Sequence, residues 1–274
     1  GDHTVRIGIL LLALCLVVGS SPATAQPGPR LPTGFIGYPS DSAMKFQVDL
    51  SLWVLSTSAR ESGVYAAYGQ RSFWDLDNDA RPFRVENNFR PEVGAVWGPD
   101  AGRSLTPHWP SRLALSAAFI HESNGLELES SRGWNRIVGG VHVGTDECPI
   151  RAAILGWYTF RVEDTNADIT RDAGDGEVRL VADLSRMVDG MALRVRSAFS
   201  PDARSGLFFT NLEAGLYLWP GFLPSWLFPG TDGPPIDFVV EWFVGTGEYL
   251  YGHSMHENRL GIGITLHPGS VFGS

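Results

Sequence analysis

The sequence predicts an all-β fold, a twelve-stranded antiparallel transmembrane β-barrel of the outer membrane. Three observations predict it. The N-terminus reads as an export signal, and the rest of the chain alternates apolar and polar residues with a period of two. No later apolar run is long enough for a membrane helix.

The first element is the signal. Ile7 to Val18 is an apolar run of 12 residues broken only by Gly8, with Arg6 before it and the small-x-small site Ala23-Thr24-Ala25 after it. It is too short to span a bilayer, so residues 1–25 are expected to be a signal peptide and 26–274 the barrel domain. Cys15 belongs to the apolar run, because Leu14 stands where a lipoprotein would carry a small residue. The mature chain then keeps Cys148 alone, which rules out an internal disulfide. An exported chain without a membrane helix is either soluble or a closed barrel. A net charge of −9, from 21 Lys+Arg against 30 Asp+Glu, argues against a nucleic-acid partner held by phosphate neutralisation.

The strands follow in order. Alternating segments lie at about 46–56, 63–76, 86–98, 111–123, 132–144, 150–163, 176–188, 190–200, 207–219, 236–247 and 258–267. That makes eleven, and bacterial single-chain barrels have an even number, so a short strand around Phe35 to Tyr38 is expected as the twelfth. In 150–163 the even positions read Ile150, Ala152, Ile154, Gly156, Tyr158, Phe160 and Val162, and the odd ones include Arg151, Arg161 and Glu163. Val178, Leu180 and Ala182 interleave with Glu177, Arg179 and Asp183, and Leu193 and Val195 with Arg194 and Arg196. Phe238, Val240 and Trp242 interleave with Asp237 and Glu241; Leu260, Ile262 and Ile264 interleave with Arg259, Gly261 and Gly263. A thin apolar face opposite several charges suits strands that are apolar outside and polar inside. A soluble all-β protein is the alternative that the pattern leaves open. Trp53, Tyr68, Trp74, Trp97, Trp134, Trp157, Tyr217, Trp219 and Tyr249 lie near segment ends, as interfacial girdles require. The stretch from Trp219 to Pro235, rich in Pro and Gly, reads as a loop.

One hairpin carries a polar constellation. If paired residue numbers in 111–123 and 132–144 sum to 256, His121 faces Asn135 and Ser123 faces Gly133. The odd positions Leu113, Leu115, Ala117 and Phe119 share a face with His121 and Ser123, while Arg112, Glu122, Arg132, Arg136 and His142 take the other. Three polar groups on a lipid face are costly unless they bond one another or act. His121, Ser123 and Asn135 have the roles of base, nucleophile and orienter available to them. Equally, they form a polar rim where the strands leave the membrane.

His121-Glu122-Ser123-Asn124-Gly125, followed by Asn135 within Ser131-Arg132-Gly133-Trp134-Asn135-Arg136, resembles the active-site hairpin of the outer-membrane phospholipase A family. Lys45-Phe46-Gln47 with Leu50-Ser51-Leu52, Tyr68 to Trp74, and Pro82-Phe83-Arg84 with Glu86-Asn87 resemble its early strands. Gly245 to Leu250 and Asn258 to Gly263 are similar to its closing hairpin. The resemblance implies a barrel that hydrolyses phospholipid acyl esters, depends on calcium and acts as a homodimer. It implies Ser123 as nucleophile, His121 as general base and Asn135 as its orienter.

For calcium it implies the Ser131 hydroxyl and the Leu126 carbonyl as ligands, beside the triad, where the ion stabilises an oxyanion. Glu127 and Glu129 are either further oxygen ligands or solvated loop acids. A serine expected from the partner subunit falls on Ala80 or Arg81 here, a departure from the family pattern. Gln70 matches a glutamine of the family's dimer interface, and a lumen-facing glutamine is the other reading. His267-Pro268-Gly269 breaks the last strand where the family ends on an aromatic residue.

Two other functions compete: a non-enzymatic pore or structural barrel, and a different lipid acyl-modifying enzyme. His142, His253 and His256 are expected to be lumenal or loop histidines, and Cys148, beside Pro149, to be incidental.

Overall fold

The computed structural model describes the chain from Thr33 to Leu266, apart from connections 39–42, 57–61, 76–85, 99–112, 127–130, 145–148, 163–165, 185–186, 204–207, 219–235 and 251–252 and single residues 168, 189, 202 and 249. The expectations for residues 1–25, Ala80, Arg81, Glu127, Glu129, Cys148, Trp219, Tyr249 and the segment from His267 lie outside these residues.

Twelve strands form one closed antiparallel barrel in sequential order. They are β1 (Thr33–Tyr38), β2 (Ala43–Ser56), β3 (Gly63–Asp75), β4 (Glu86–Trp97), β5 (Leu113–Ser123), β6 (Gly133–Val143), β7 (Ile150–Phe160), β8 (Gly176–Asp183), β9 (Met191–Phe199), β10 (Asn211–Leu218), β11 (Ile236–Gly245) and β12 (Glu257–Leu266). A single helical turn, α1 (Thr170–Ala173), sits between β7 and β8 and had no counterpart in the sequence reading. Closure comes from β1 against β12, with Phe35 opposite Ile264 and Gly37 opposite Ile262. With no open edge, every strand has a neighbour on both sides, as lipid demands of backbone N–H and C=O groups. The short strand around Phe35 to Tyr38 is therefore the one that seals the barrel.

The faces sort as the alternation predicts. Leu52, Ile137, Ile154, Leu260 and Ile262 are all more than half exposed on the outside, while Lys45, Glu213, Glu241 and Arg259 are buried within. The girdle reading needs correction at four positions. Trp53, Trp134, Trp157 and Tyr217 share the inward face, with Trp134 and Tyr217 buried. Guanidinium groups explain how a polar interior accepts Trp134, Trp157 and Tyr217. Arg136 stacks over Trp134 at 4.0 Å and Arg194 over Tyr217 at 4.4 Å, so a cation covers each ring. Trp97, by contrast, is 58% exposed on the outer face.

Ionic pairs fill the interior. Lys45 pairs with Glu241 and lies 3.8 Å from both Glu213 and Glu248. Arg196 bonds Glu213 at 2.6 Å, Arg179 pairs with Glu177, and Arg90 bonds Asp49 at 3.1 Å. Tyr38 donates to Glu241 at 2.7 Å. Charges taken out of water are tolerable only when each meets an opposite charge, and this barrel supplies one for each of these groups. The Lys45-Phe46-Gln47 and Asn258 to Gly263 motifs thus contribute Lys45, Gln47 and Arg259 to the wall of the lumen. A cavity of about 100 Å³ remains between Asp49, Arg71, Arg90, Glu122, Arg136 and Glu177, room for a few waters.

Candidate active site

The β5–β6 hairpin has the register whose paired numbers sum to 256. Leu113 lies opposite Val143, His121 opposite Asn135 and Ser123 opposite Gly133. Leu115, Phe119, Ile137 and Val141, all at odd positions, are exposed on the outer face, and Ile120, Arg136 and Val138 are buried inside. His121, Ser123 and Asn135 share the parity of the outer face and are half-buried. Directly opposite residues have Cβ atoms about 5 Å apart, which lets one side chain reach the other across the pair. Here His121 Nδ1 and Asn135 Oδ1 are 3.0 Å apart. Asn135 Nδ2 also donates to the backbone carbonyl of Arg161 at 3.1 Å.

Ser123 stands two residues along the same strand and projects from the same face as His121. No hydrogen bond joins its hydroxyl to His121 among the described residues. Its partners in the ladder are Phe89 on one side and Gly133 on the other, and Gly133 brings no side chain to cover the hydroxyl. The structure thus joins two members of the trio directly and places the third beside them.

Beneath this face the residues of opposite parity brace the hairpin. Glu122 pairs with Arg136, Trp134 Nε1 donates to Glu122 at 3.2 Å, and Arg136 lies between Trp134 and Trp157. These contacts cross from β5 to β6 one residue away from each member of the trio, and so hold the two strands in the register that brings His121 to Asn135. Sequence reading placed Glu122 and Arg136 on the inner face and did not assign them this work.

The turn after Ser123 has its own clamp. The buried Asn124 side chain accepts from the backbone N–H of Leu126 at 3.2 Å and of Arg132 at 3.0 Å. Its own N–H donates to the Arg132 carbonyl at 3.0 Å. Gly125 has φ +64°, and a Cβ there would lie 2.9 Å from the Phe89 ring, so both the backbone conformation and the space call for glycine. Sequence reading gives Asn124 and Gly125 no role. The signal was present: an Asn-Gly pair at a strand end is turn chemistry.

Leu126 and Ser131 sit at the two ends of this clamped loop. The Arg132 guanidinium donates to the Ser131 carbonyl at 2.7 Å, and Ser131 carries a side-chain hydroxyl beside it. A main-chain carbonyl and a hydroxyl are hard oxygen donors of the kind calcium takes, and they make two of the six to eight that it needs. No group of three His, Cys, Asp or Glu able to hold a metal occurs among the described residues. The two oxygens fit calcium in kind.

The remaining candidates fall elsewhere. His142 Nε2 is 2.8 Å from Ser116 Oγ on the inner face, His253 Nδ1 is 2.8 Å from Asp172 Oδ2 in a buried pair, and His256 is exposed. His253 thus ties the β11–β12 connection to α1, as a loop histidine. Gln70 lies opposite Val48 and Phe89, at the parity of the exposed Val64, so it faces outward. Tyr68 donates to its carbonyl at 3.0 Å and its amide donates to Ser72 at 3.0 Å, a polar ladder on the lipid side.

Comparison with known proteins adds the family. A family model described as Phospholipase A1 matches residues 37–266. Phospholipase A1 of Salmonella typhimurium and that of Escherichia coli K12 are each 25% identical over 230 residues, which cover 81% of this chain and 69% of theirs. Among solved structures, the outer membrane phospholipase A of Escherichia coli superposes with a TM-score of 0.67 at 20% identity, covering 87% of this chain and 93% of that one. The Salmonella typhi outer membrane phospholipase, a dimer with bound calcium, superposes with a TM-score of 0.69 at 20% identity over 92% of this chain and 96% of its own.

Proposed function

Since this chain belongs to the phospholipase A1 family, and so is a phospholipid-hydrolysing barrel of the bacterial outer membrane, we propose that Ser123, His121 and Asn135 perform the hydrolysis, with calcium and as a homodimer. The observation that carries this reading is the 3.0 Å contact of His121 Nδ1 with Asn135 Oδ1 on the outer face, two residues from Ser123.

The chemistry follows from those atoms. With Asn135 Oδ1 accepting, the His121 ring keeps its proton on Nδ1 and presents a lone pair at Nε2. A rotation of the Ser123 side chain brings Oγ to Nε2 when substrate arrives, since catalytic hydrogen bonds often tighten only in the complex. Nε2 takes the hydroxyl proton as Oγ attacks the acyl carbonyl, then returns it to the departing lysophospholipid oxygen. Water repeats the two transfers and frees the fatty acid. A neutral amide in the orienting role avoids holding a carboxylate against lipid, which is expensive. Calcium, when bound, supplies Lewis-acid stabilisation of the developing oxyanion, and the Leu126 carbonyl and Ser131 hydroxyl are the groups of this chain that would hold it. Gln70 supports the dimer, because a second subunit would supply polar partners for an amide that otherwise faces lipid.

Ion pairs inside the barrel, Lys45 with Glu241 and Arg196 with Glu213, narrow the lumen and speak against the pore reading. The test is acyl release from phospholipid micelles, with calcium or with EDTA, for wild type and Ser123→Ala. Release that needs both calcium and Ser123 is expected. Release by Ser123→Ala at the wild-type rate would overturn the triad, and release unchanged in EDTA would overturn the calcium site alone.

A further inference from the structure

Asn135 reaches outside the trio. Its Nδ2 donates to the Arg161 carbonyl at 3.1 Å while its Oδ1 serves His121. Arg161 follows Phe160, the last residue of β7 and the ladder partner of Asn135. Its φ is +47°, and among the described residues it is the one non-glycine with a positive φ. A left-handed residue without a turn glycine is uncommon and persists only where its surroundings hold it there.

We propose that the Arg161 backbone carbonyl is a positioning group for the hydrolysis, aimed by this left-handed residue at the end of β7 so that it fixes which end of the Asn135 amide faces His121. The inference rests on the triad reading above. The two ends of a carboxamide are nearly equal in shape and opposite in hydrogen bonding. A carbonyl oxygen can only accept, so it selects the NH₂ end of Asn135 and leaves Oδ1 for the histidine. Oδ1 in turn holds the ring proton on Nδ1 and keeps Nε2 open toward Ser123. With the amide turned over, its NH₂ would face Nδ1, the ring proton would move to Nε2, and Ser123 would lose its base. The Arg161 side chain is exposed and takes no part in this contact. The backbone conformation of this residue is what matters, and that makes the proposal separable by substitution.

Glycine adopts positive φ freely, whereas β-branched residues resist it. The experiment compares Arg161→Gly, Arg161→Val and Arg161→Thr with wild type, alone and with Asn135→Ala. It measures kcat and KM on phospholipid micelles and the rate at which a long-chain fluorophosphonate labels Ser123, each per folded barrel as read by heat-modifiable gel mobility. Arg161→Gly is expected to stay within about twofold of wild type. Arg161→Val and Arg161→Thr are expected to lower kcat and the labelling rate together, roughly tenfold or more, with KM unchanged. In the Asn135→Ala background they are expected to cost nothing further, because the carbonyl acts through that amide. Wild-type rates in both β-branched variants would overturn the proposal. So would an Arg161→Gly loss as large as theirs, which would assign the effect to the guanidinium, or full additivity with Asn135→Ala. Undiminished acyl release by Ser123→Ala and His121→Ala would instead remove the triad itself, an outcome distinct from any of these.

Discussion

Asn135 and Glu248 illustrate two ways in which a single polar residue is settled at the rim of this barrel. Asn135 has both ends of its amide bonded, so replacing it with alanine removes the proposed orienting group and leaves the proposed nucleophile and base in place. Asn135→Ala is expected to lower kcat roughly ten- to a hundredfold with little change in KM, the mark of an interaction made for the transition state. Steady-state kinetics on micellar phospholipid measures it. Glu248, in the β11–β12 connection, is buried with neither carboxylate oxygen hydrogen-bonded among the described residues, 3.8 Å from Lys45 and from Arg259. Burial pushes its carboxyl up to about 7, with Lys45 pulling the other way. A raised carboxyl means that the folded state keeps its proton while the unfolded chain loses it, so rising pH costs stability between the ordinary carboxylate range and about 7. Glu248→Gln is therefore expected to match wild type at pH 4 and to melt higher than wild type at pH 8. Thermal unfolding of the detergent-solubilised barrel at the two pH values checks this, and a gap that narrows with rising pH would contradict it.

At the scale of elements, β5 and β6 with the turn between them carry the proposed site, and among the described residues the Asn124 side chain bonds both ends of that turn. Asn124 satisfies two backbone N–H groups at opposite ends of the loop, next to Leu126 and Ser131. Asn124→Ala removes the acceptor of both donors, and a hydrogen bond of this kind contributes about 0.5–1.5 kcal/mol. Because the proposed calcium oxygens are fixed through those same groups, this variant is expected to need severalfold more calcium for half-maximal activity while its rate at saturating calcium stays close to wild type. A calcium titration of acyl release reads it. The legibility of the fold also divides at this scale. The register of β5 and β6 was readable because a shift by one residue would put Leu115 and Phe119 inside and Glu122 and Arg136 in lipid. The outward parity of β7, β11 and β12 was readable on the same grounds. The direction of Trp134, Trp157, Trp53 and Tyr217 was misread because they were judged by distance from the segment end, when parity alone decides the face of a strand. Arg161 and α1 could not be read, since a left-handed residue without glycine and a single helical turn leave no periodic trace. The pairing of His121 with Asn135 was legible from the register, and the contacts of Asn135 with Arg161 and of Asn124 with the turn were not.

For the whole molecule, closure and association pose separate electrostatic problems. Inside, Lys45 is the shared counter-ion of Glu213 and Glu241. Lys45→Met would leave those carboxylates without their common cation, and breaking a buried ionic cluster from one side costs about 3–5 kcal/mol. The refolding yield and the urea midpoint of this variant are expected to fall, although Lys45 lies in β2, away from the trio. Outside, the problem is inverted. Tyr68, Gln70 and the buried Ser72 share the outward parity of β3 and bond one another, so each is satisfied in part by its neighbours in a single barrel. A second barrel set against this face would give the ladder new partners where hydrocarbon offers none. If the dimer uses this surface, Gln70→Leu removes the polar gain on association and leaves the hairpin of the trio untouched. The expected result is a higher protein concentration for half-maximal activity in detergent, with the wild-type rate recovered at saturating protein. Analytical ultracentrifugation under the same conditions should show the monomer–dimer midpoint moving in step with activity. If activity and association both stay at their wild-type midpoints, the ladder does not hold the dimer.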